Sequence, residues 1–409
     1  MIARFVIVAL ASGALASFTP TPILAQSQGF QPRGGRPLEG QMRNSQQFAP
    51  TQAAQSTQNA NGISRDLLQL HAQTESANTE ALVTSIARGC SKIIPNANRS
   101  DADRQYAASL LAWALNRRGE MRNQRAADLV NAGKTVEAAS LDKLAAEDFE
   151  TAIEYAPRNW RTRHNLAIAL AMQSKYPAAI EQLSEAIDLN PDYANARFNR
   201  GELYFELSQY TQALRDYSAA IELDARDPQY YNSRAHCRFM LAAHDDAIAD
   251  YRRAAELATD SAVYQTDLAD ALQYLGQWEQ AAEAYREAVA INNKYPRAYQ
   301  NAAWLMATCP DPAMRNTELA KASAKKAIEL GLGRTAQTLD TLAAAIAATG
   351  NHGEASKLLR QALQMTSDPE EKAEMASRLT LYERGQAYLQ PEKQAHAQIR
   401  TASGAANSR

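Results

Sequence analysis

The 409-residue sequence has only three cysteines, Cys90, Cys237 and Cys309, and they lie far apart. An odd number of widely spaced thiols builds no disulfide framework, so stability has to come from packing. No paired Cys or His spacing closes a tetrahedral site, and neither a metal nor a cofactor is expected. A Gly-rich phosphate loop, a Gly-x-Ser-x-Gly elbow and a His-Glu-x-x-His pair are all missing. The six histidines, at 71, 164, 236, 244, 352 and 396, are scattered. A lone helical histidine is more often a hydrogen-bonded surface group than an acid–base catalyst, so no catalytic residue is expected. There is little excess charge of either sign: 43 basic and 45 acidic side chains leave a formal charge of -2. No strong field therefore favours nucleic acid or an anionic membrane surface. Beyond residue 25, no apolar run is long enough to span a bilayer.

What is present begins with an apolar run from Phe5 to Ala16 behind Met1-Ile2-Ala3-Arg4. This is the build of a secretory signal, residues 1–25, with Ile23-Leu24-Ala25 as the preferred cut and Ala14-Leu15-Ala16 as the second choice. An uncleaved anchor is the alternative, although the run is short for a membrane helix. The expected product is exported, periplasmic or secreted, with no stable membrane span after cleavage. Residues 26–62 are rich in Gln, Asn, Ser, Gly and Pro with few aliphatics, which predicts a disordered leader. Arg33-Gly34-Gly35-Arg36 is a single unit, better read as linker than as a nucleic-acid tail.

From Ser64 onward helix formers dominate, and apolar residues recur three and four apart, as in Leu82, Ile86 and Ile93. The strongest signal is internal repetition. Ala152, Ala186, Ala220, Ala254 and Ala288 fall thirty-four residues apart. Ala145, Ala179, Ala213, Ala247 and Ala281 form a second small column, and Phe149, Leu183, Tyr217, Tyr251 and Tyr285 a large one between them. A third small column, Ala167, Gly201, Ala235, Ala269 and Ala303, marks a preceding helix. Small, large, small predicts helix pairs that approach closely, with one large side chain filling each gap.

These columns resemble the tetratricopeptide-repeat family, whose pattern has small residues at the eighth, twentieth and twenty-seventh places and proline near the thirty-second, where Pro157 and Pro191 stand. The resemblance implies an all-α fold, a right-handed superhelical α-solenoid of helix pairs with capping helices at both ends. Capping helices are expected over 63–100 and an expanded repeat over 101–159. The insert from Gly119 to Ser140 in that repeat either forms a loop or extends both helices. Four regular repeats follow over 160–295, starting near Trp160, Ala194, Pro228 and Ala262. Two irregular repeats occupy 296–366, the first starting near Pro296. Ser367-Asp368-Pro369-Glu370 predicts a helix start, so a capping helix is expected over 367–390, and then a disordered tail over 391–409.

Family members hold peptide segments or helices on the concave face built by first helices, which implies a protein or peptide partner. At the sixth place of each repeat stand Asn165, Asn199, Ser233, Asp267 and Asn301, a polar ladder. An amide can hold an extended backbone, but it can equally bond helix to helix, and both roles stay open. The fifth place carries His164, Phe198, Asn232, Thr266 and Gln300, with Phe198 as the one aromatic anchor. Arg161, Arg163, Arg197, Arg200, Arg234 and Arg238 enrich the early first helices, and Asp267, Asp270, Glu279 and Glu283 follow. This basic-to-acidic gradient predicts a partner with acids toward the early repeats. The candidate site is therefore Arg161, His164, Asn165, Arg197, Phe198, Asn199, Asn232 and Asn301. A carboxylate clamp of the chaperone-binding kind is not matched, since His164, Ile168, Asn199, Gln229 and Ser233 lack its lysines and arginine. The expected function is a non-enzymatic exported scaffold or adaptor. The alternatives are an accessory protein of an envelope enzyme or of a glycan or lipid system, and a repeat-fused enzyme. Neither the oligomeric state nor the partner's identity follows from the sequence.

Overall fold

A computed structural model describes residues 63–391. The signal and leader readings (1–62) lie outside the described residues, as do positions 392–409 of the tail. Among the described residues every regular element is helical, and no helix is long and apolar enough to cross a membrane. They fall into two compact units that divide between Thr259 and Asp260.

The first unit opens with α1 (Arg65–Ala72), a short 3-10 turn and α2 (Glu80–Ile93). Leu67 on α1 and Val83, Ile86 and Cys90 on α2 pack with Leu110, Leu111 and Leu115 of α3 (Asp101–Asn131). α3 pairs along its length with α4 (Thr135–Tyr155). The insert is thus helix on both sides of a short turn rather than a loop. Arg118 grips Asp148 across this pair at a separation of thirty residues, where the equivalent regular pairs are sixteen apart. The excess amounts to about two added turns on each helix.

Three pairs follow: α5 (Trp160–Met172) with α6 (Tyr176–Leu189), α7 (Ala194–Glu206) with α8 (Tyr210–Leu223), and α9 (Pro228–Met240) with α10 (His244–Leu257). Their starts are set by local chemistry. The Asn159 side chain caps α5 by accepting from the N–H groups of Arg161 and Thr162, and Asp227 caps α9, whose first residue is Pro228. The columns seen in sequence form the core: Ala179, Leu183, Ala213, Tyr217, Ala247 and Tyr251 are all fully buried. Burying one such large side chain contributes roughly 2–3 kcal/mol. Gly201 shows how tight the fit is, because a Cβ there would lie 2.8 Å from the Tyr217 ring.

The second unit contains the pair α11 (Ala262–Tyr274) and α12 (Trp278–Ile291), then α13 (Pro296–Thr308) and α14 (Thr317–Ala327) joined by an irregular link with a 3-10 turn at Pro312–Met314. α14 unwinds into a π turn over Ile328–Leu332, where Gly331 takes φ 121°. α15 (Ala336–Ala348) starts with a capping box between Thr335 and Thr338 and pairs with α16 (His352–Met365). α17 (Pro369–Glu383) is capped by Asp368, as the sequence predicts, and buries Met375 and Tyr382. It ends seven residues earlier than the expected 367–390 cap, because Gly385 takes φ 72° and Gln386 N–H closes back on the Leu381 carbonyl. The chain from there to Gln390 turns back along the unit.

The turn inside each regular pair needs one residue in the left-handed region. Ser174 (φ 59°), Ser208 (φ 58°), Ala242 (φ 59°) and Gly276 (φ 74°) fill the equivalent place. Glycine holds this conformation without strain, whereas an L side chain pays about 1–2 kcal/mol there, part of it offset by a stiffer unfolded chain. Ala242→Gly is therefore expected to stabilise the protein by about 0.5–1 kcal/mol, read as a raised midpoint in denaturant melts. A lowered midpoint would contradict this account of the turn.

Candidate functional site

In the first unit, successive first helices are stitched to one another by polar side chains. Asn165 Nδ2 on α5 donates to Asn116 Oδ1 and to Glu120 Oε1 on α3, each at 3.2 Å. Asn199 Nδ2 on α7 meets His164 Nε2 on α5 at 2.8 Å. Burial holds the His164 pKa down to about 4, so the ring is neutral and its Nε2 can accept. The next step runs through Tyr230 of α9, whose hydroxyl donates to Asn195 Oδ1 of α7 at 2.6 Å. In the second unit Asn301 Nδ2 donates to Asp270 Oδ1 at 2.7 Å, and Arg297 pairs with both Asp267 and Asp270.

The sixth-place amides therefore face helix-to-helix bonds, the second of the two roles left open by the sequence. Asn199 has no exposed surface and Asn232 is buried, whereas Asn165 and Asn301 remain half-buried. Phe198, expected as an exposed anchor, is a core residue: it is fully buried, 5.8 Å from the Tyr217 ring and 5.0 Å from the Tyr230 ring. Its place points into the stack because the neighbouring ring column needs an apolar partner. The Arg161 guanidinium lies over the Trp160 ring at 4.5 Å, and Arg197 Nη2 donates to the Pro191 carbonyl at 3.2 Å.

The basic-to-acidic gradient is likewise corrected. Arg200 bonds Asp216 through Nε (2.7 Å) and Nη2 (2.8 Å), and Arg234 bonds Asp250 through the same two nitrogens, both at 2.8 Å. Arg238 joins Asp250 at 2.5 Å, and Arg163 pairs with Glu185. These cations are neutralised inside their own repeats, whereas Asp267 and Asp270 are neutralised by Arg297 on the first helix of the next repeat. They hold helix pairs together instead of presenting a charged stripe.

The ninth place of each repeat also lies on its first helix. It carries Ile168, Glu202, His236, Asp270 and Trp304. Tyr217 donates its hydroxyl to Glu202 Oε1 at 2.6 Å, and Tyr285 does the same to Asp270 Oδ1 at 2.6 Å. Tyr251 instead meets the His236 ring edge-on, with centroids 5.2 Å apart. A tyrosine rather than phenylalanine in the ring column, fifteen residues after a polar ninth place, was the available signal. Burial raises the Glu202 and Asp270 carboxyls above their usual range despite these donors. In the first unit Ile168, at the ninth place of α5, is half-buried, and Met172, one turn further along α5, and Met240 on α9 stay exposed. The face combines fixed polar links with accessible apolar side chains.

Family models described as TPR repeat match residues 170–208 and 201–241, and others described as tetratricopeptide repeat match 266–308 and 335–367. No curated protein matches the chain. Similar solved structures include MamA from Desulfovibrio magneticus, at 15% identity and TM-score 0.37, covering 43% of this chain and 96% of that one. YrrB, titled as a TPR protein with an unusual peptide-binding site, is 20% identical with TM-score 0.38, covering 46% of this chain and 93% of its own. A tetratricopeptide repeat protein from Parabacteroides merdae is 19% identical with TM-score 0.47, covering 64% and 98% respectively. At these identities and TM-scores none of the three bears on what this chain binds.

A buried carboxyl with a raised pKa binds a proton in the folded state that the unfolded chain has released, so its contribution to stability falls as pH rises through that window. Tyr217→Phe removes the donor that favours the ionised form of Glu202 and raises that pKa further. The variant is expected to lose about 1–2 kcal/mol at pH 7.5, with a smaller loss at pH 5, where more of the carboxyl is protonated and needs no donor. Denaturant midpoints at the two pH values check this, and an equal loss at both would contradict it.

Proposed function

We propose that this chain, a tetratricopeptide-repeat protein, is a scaffold that holds a segment of another protein against the exposed face of its first helices. Repeat folds of this family generally bind protein or peptide partners, and the present chain carries the repeats through both of its units. The observation that carries the reading is the α5–α7–α9 face. Its polar groups are already bonded from helix to helix, so the surface is set before any partner arrives. Ile168 and Met172 remain accessible on it for apolar contact. A preorganised surface loses little entropy on binding, which suits affinity spread along a strip.

The reading is of a binding protein rather than an enzyme. His164, Glu202 and Asp270 could have been offered as acid–base groups, but each is committed to a neighbouring side chain. Export is part of the proposal and is supported by the apolar run from Phe5 to Ala16 behind Arg4. An adaptor in an exported assembly is the role this combination fits.

The test is capture of partners from an envelope extract by full-length protein and by a variant carrying Ile168→Glu and Met172→Glu. Both substitutions sit one turn apart on α5 and place charge where the partner would lie. Prey bound by the wild type is expected to fall by about tenfold on the variant, with helical content unchanged. Equal recovery on both baits would remove the α5 face from the function.

A further inference from the structure

Residues 384–391, beyond α17, stay against the second unit. Gly385 turns it back, and Gln390, eighty-two positions after Thr308, bonds that residue twice. Gln390 N–H donates to the Thr308 carbonyl at 2.7 Å, and Gln390 Nε2 donates to Thr308 Oγ1 at 2.7 Å. Two residues earlier Tyr388 packs on Trp304, with ring centroids 5.9 Å apart. Tyr388 and Gln390 are half-buried while Leu389 between them is exposed, the alternation of an extended strand.

The surface that receives this segment is built. Trp304 and Thr308 lie one turn apart on α13, at the same two places that Ile168 and Met172 occupy on α5. Thr308 is fully buried and Trp304 nearly so. The third wall is Arg378 of α17, which is buried and held to Asp340 of α15 by Nε (3.1 Å) and Nη2 (2.6 Å). Its guanidinium lies 5.3 Å from the Trp304 ring and 5.6 Å from the Tyr388 ring. A cation held by a carboxylate and flanked by two rings selects an electron-rich aromatic side chain. The Thr308 hydroxyl and carbonyl then select an amide and a backbone N–H two residues later.

We infer that the Trp304–Thr308–Arg378 surface is a docking site for an extended segment bearing an aromatic residue and, two positions on, an amide, and that residues Gln386–Gln390 occupy it as an internal ligand. The inference rests on the proposed scaffold function and names the segment chemistry its second unit accepts. A short tether gives the internal segment a local concentration in the millimolar range, so a partner of like chemistry binds only by displacing it. The second unit is therefore held closed to weak ligands and opens to segments that bind more tightly or are presented at high local concentration.

The experiment uses full-length protein and a fluorescein-labelled peptide with the sequence of residues 384–391. Tyr388→Ala with Gln390→Ala in the full-length chain releases the internal segment. This variant is expected to bind the peptide at least about tenfold more tightly than the wild type, read by anisotropy. Gln390→Ala alone, which leaves Tyr388 on Trp304, gives a smaller gain and serves if the double variant loses its helical circular dichroism. A peptide with Tyr388→Ala does not bind, and adding Thr308→Val to the strap variant weakens capture. Equal binding by wild type and strap variants, or no binding by any folded variant, overturns the inference. The Ile168 and Met172 test lies in the other unit, so partner capture can persist when peptide binding fails, and the two readings fall separately.

Discussion

Contact between one helix pair and the next depends on a column of side chains that leaves no spare volume. Ala179, Ala213 and Ala247 bring the second helices close, and Leu183, Tyr217 and Tyr251 fill what remains, all with no exposed surface. A residue larger than alanine in the small column would push the pairs apart, and a smaller one in the ring column would leave a cavity. The same closeness brings a ninth-place side chain within reach of a tyrosine hydroxyl, so packing and polar linkage rest on a single spacing. Polar side chains on the first helices are thus bound up with the stack itself before they are available to anything outside it.

Most of this was readable because repetition tests itself. A column kept in step over successive repeats assigns burial without any knowledge of tertiary contacts, and the first helices begin at Trp160, Ala194, Pro228, Ala262 and Pro296, where those columns place them. The glycine at 385 was visible as a residue but not as a helix end, because Ala387, Tyr388 and Leu389 continue an acceptable helical composition after it. The backward bond from Gln386 to Leu381 decides the matter, and composition does not record it.

The binding face was less legible, for a physical reason. A polar side chain on a first helix can point toward a guest or toward the next helix, and its sequence place is nearly the same for both. Asn199 and Asn301 went to neighbouring helices because His164 and Asp270 stand where an amide can reach them. Arg200, Arg234 and Arg238 were misread as a free stripe because their counter-charges, Asp216 and Asp250, lie on the second helix of the same repeat. Pairing at an offset of sixteen residues, or twelve for Arg238, crosses a turn, whereas a reading confined to first helices sees only the cations.

The enlarged α3–α4 pair shows what kind of growth such a stack admits. Arg118 still meets Asp148, and Gly119 still lies against the Phe149 ring, although the chain between them is longer than in the regular pairs. Both helices must have lengthened together and by near-whole turns, since any other increment would have rotated one arm and carried its buried stripe away from its partner. The added arms end in a tip where Val136 is 81% exposed. A pair in this stack can thus be drawn out into a projecting spur while its root stays in register, so new reach is gained without disturbing the neighbours.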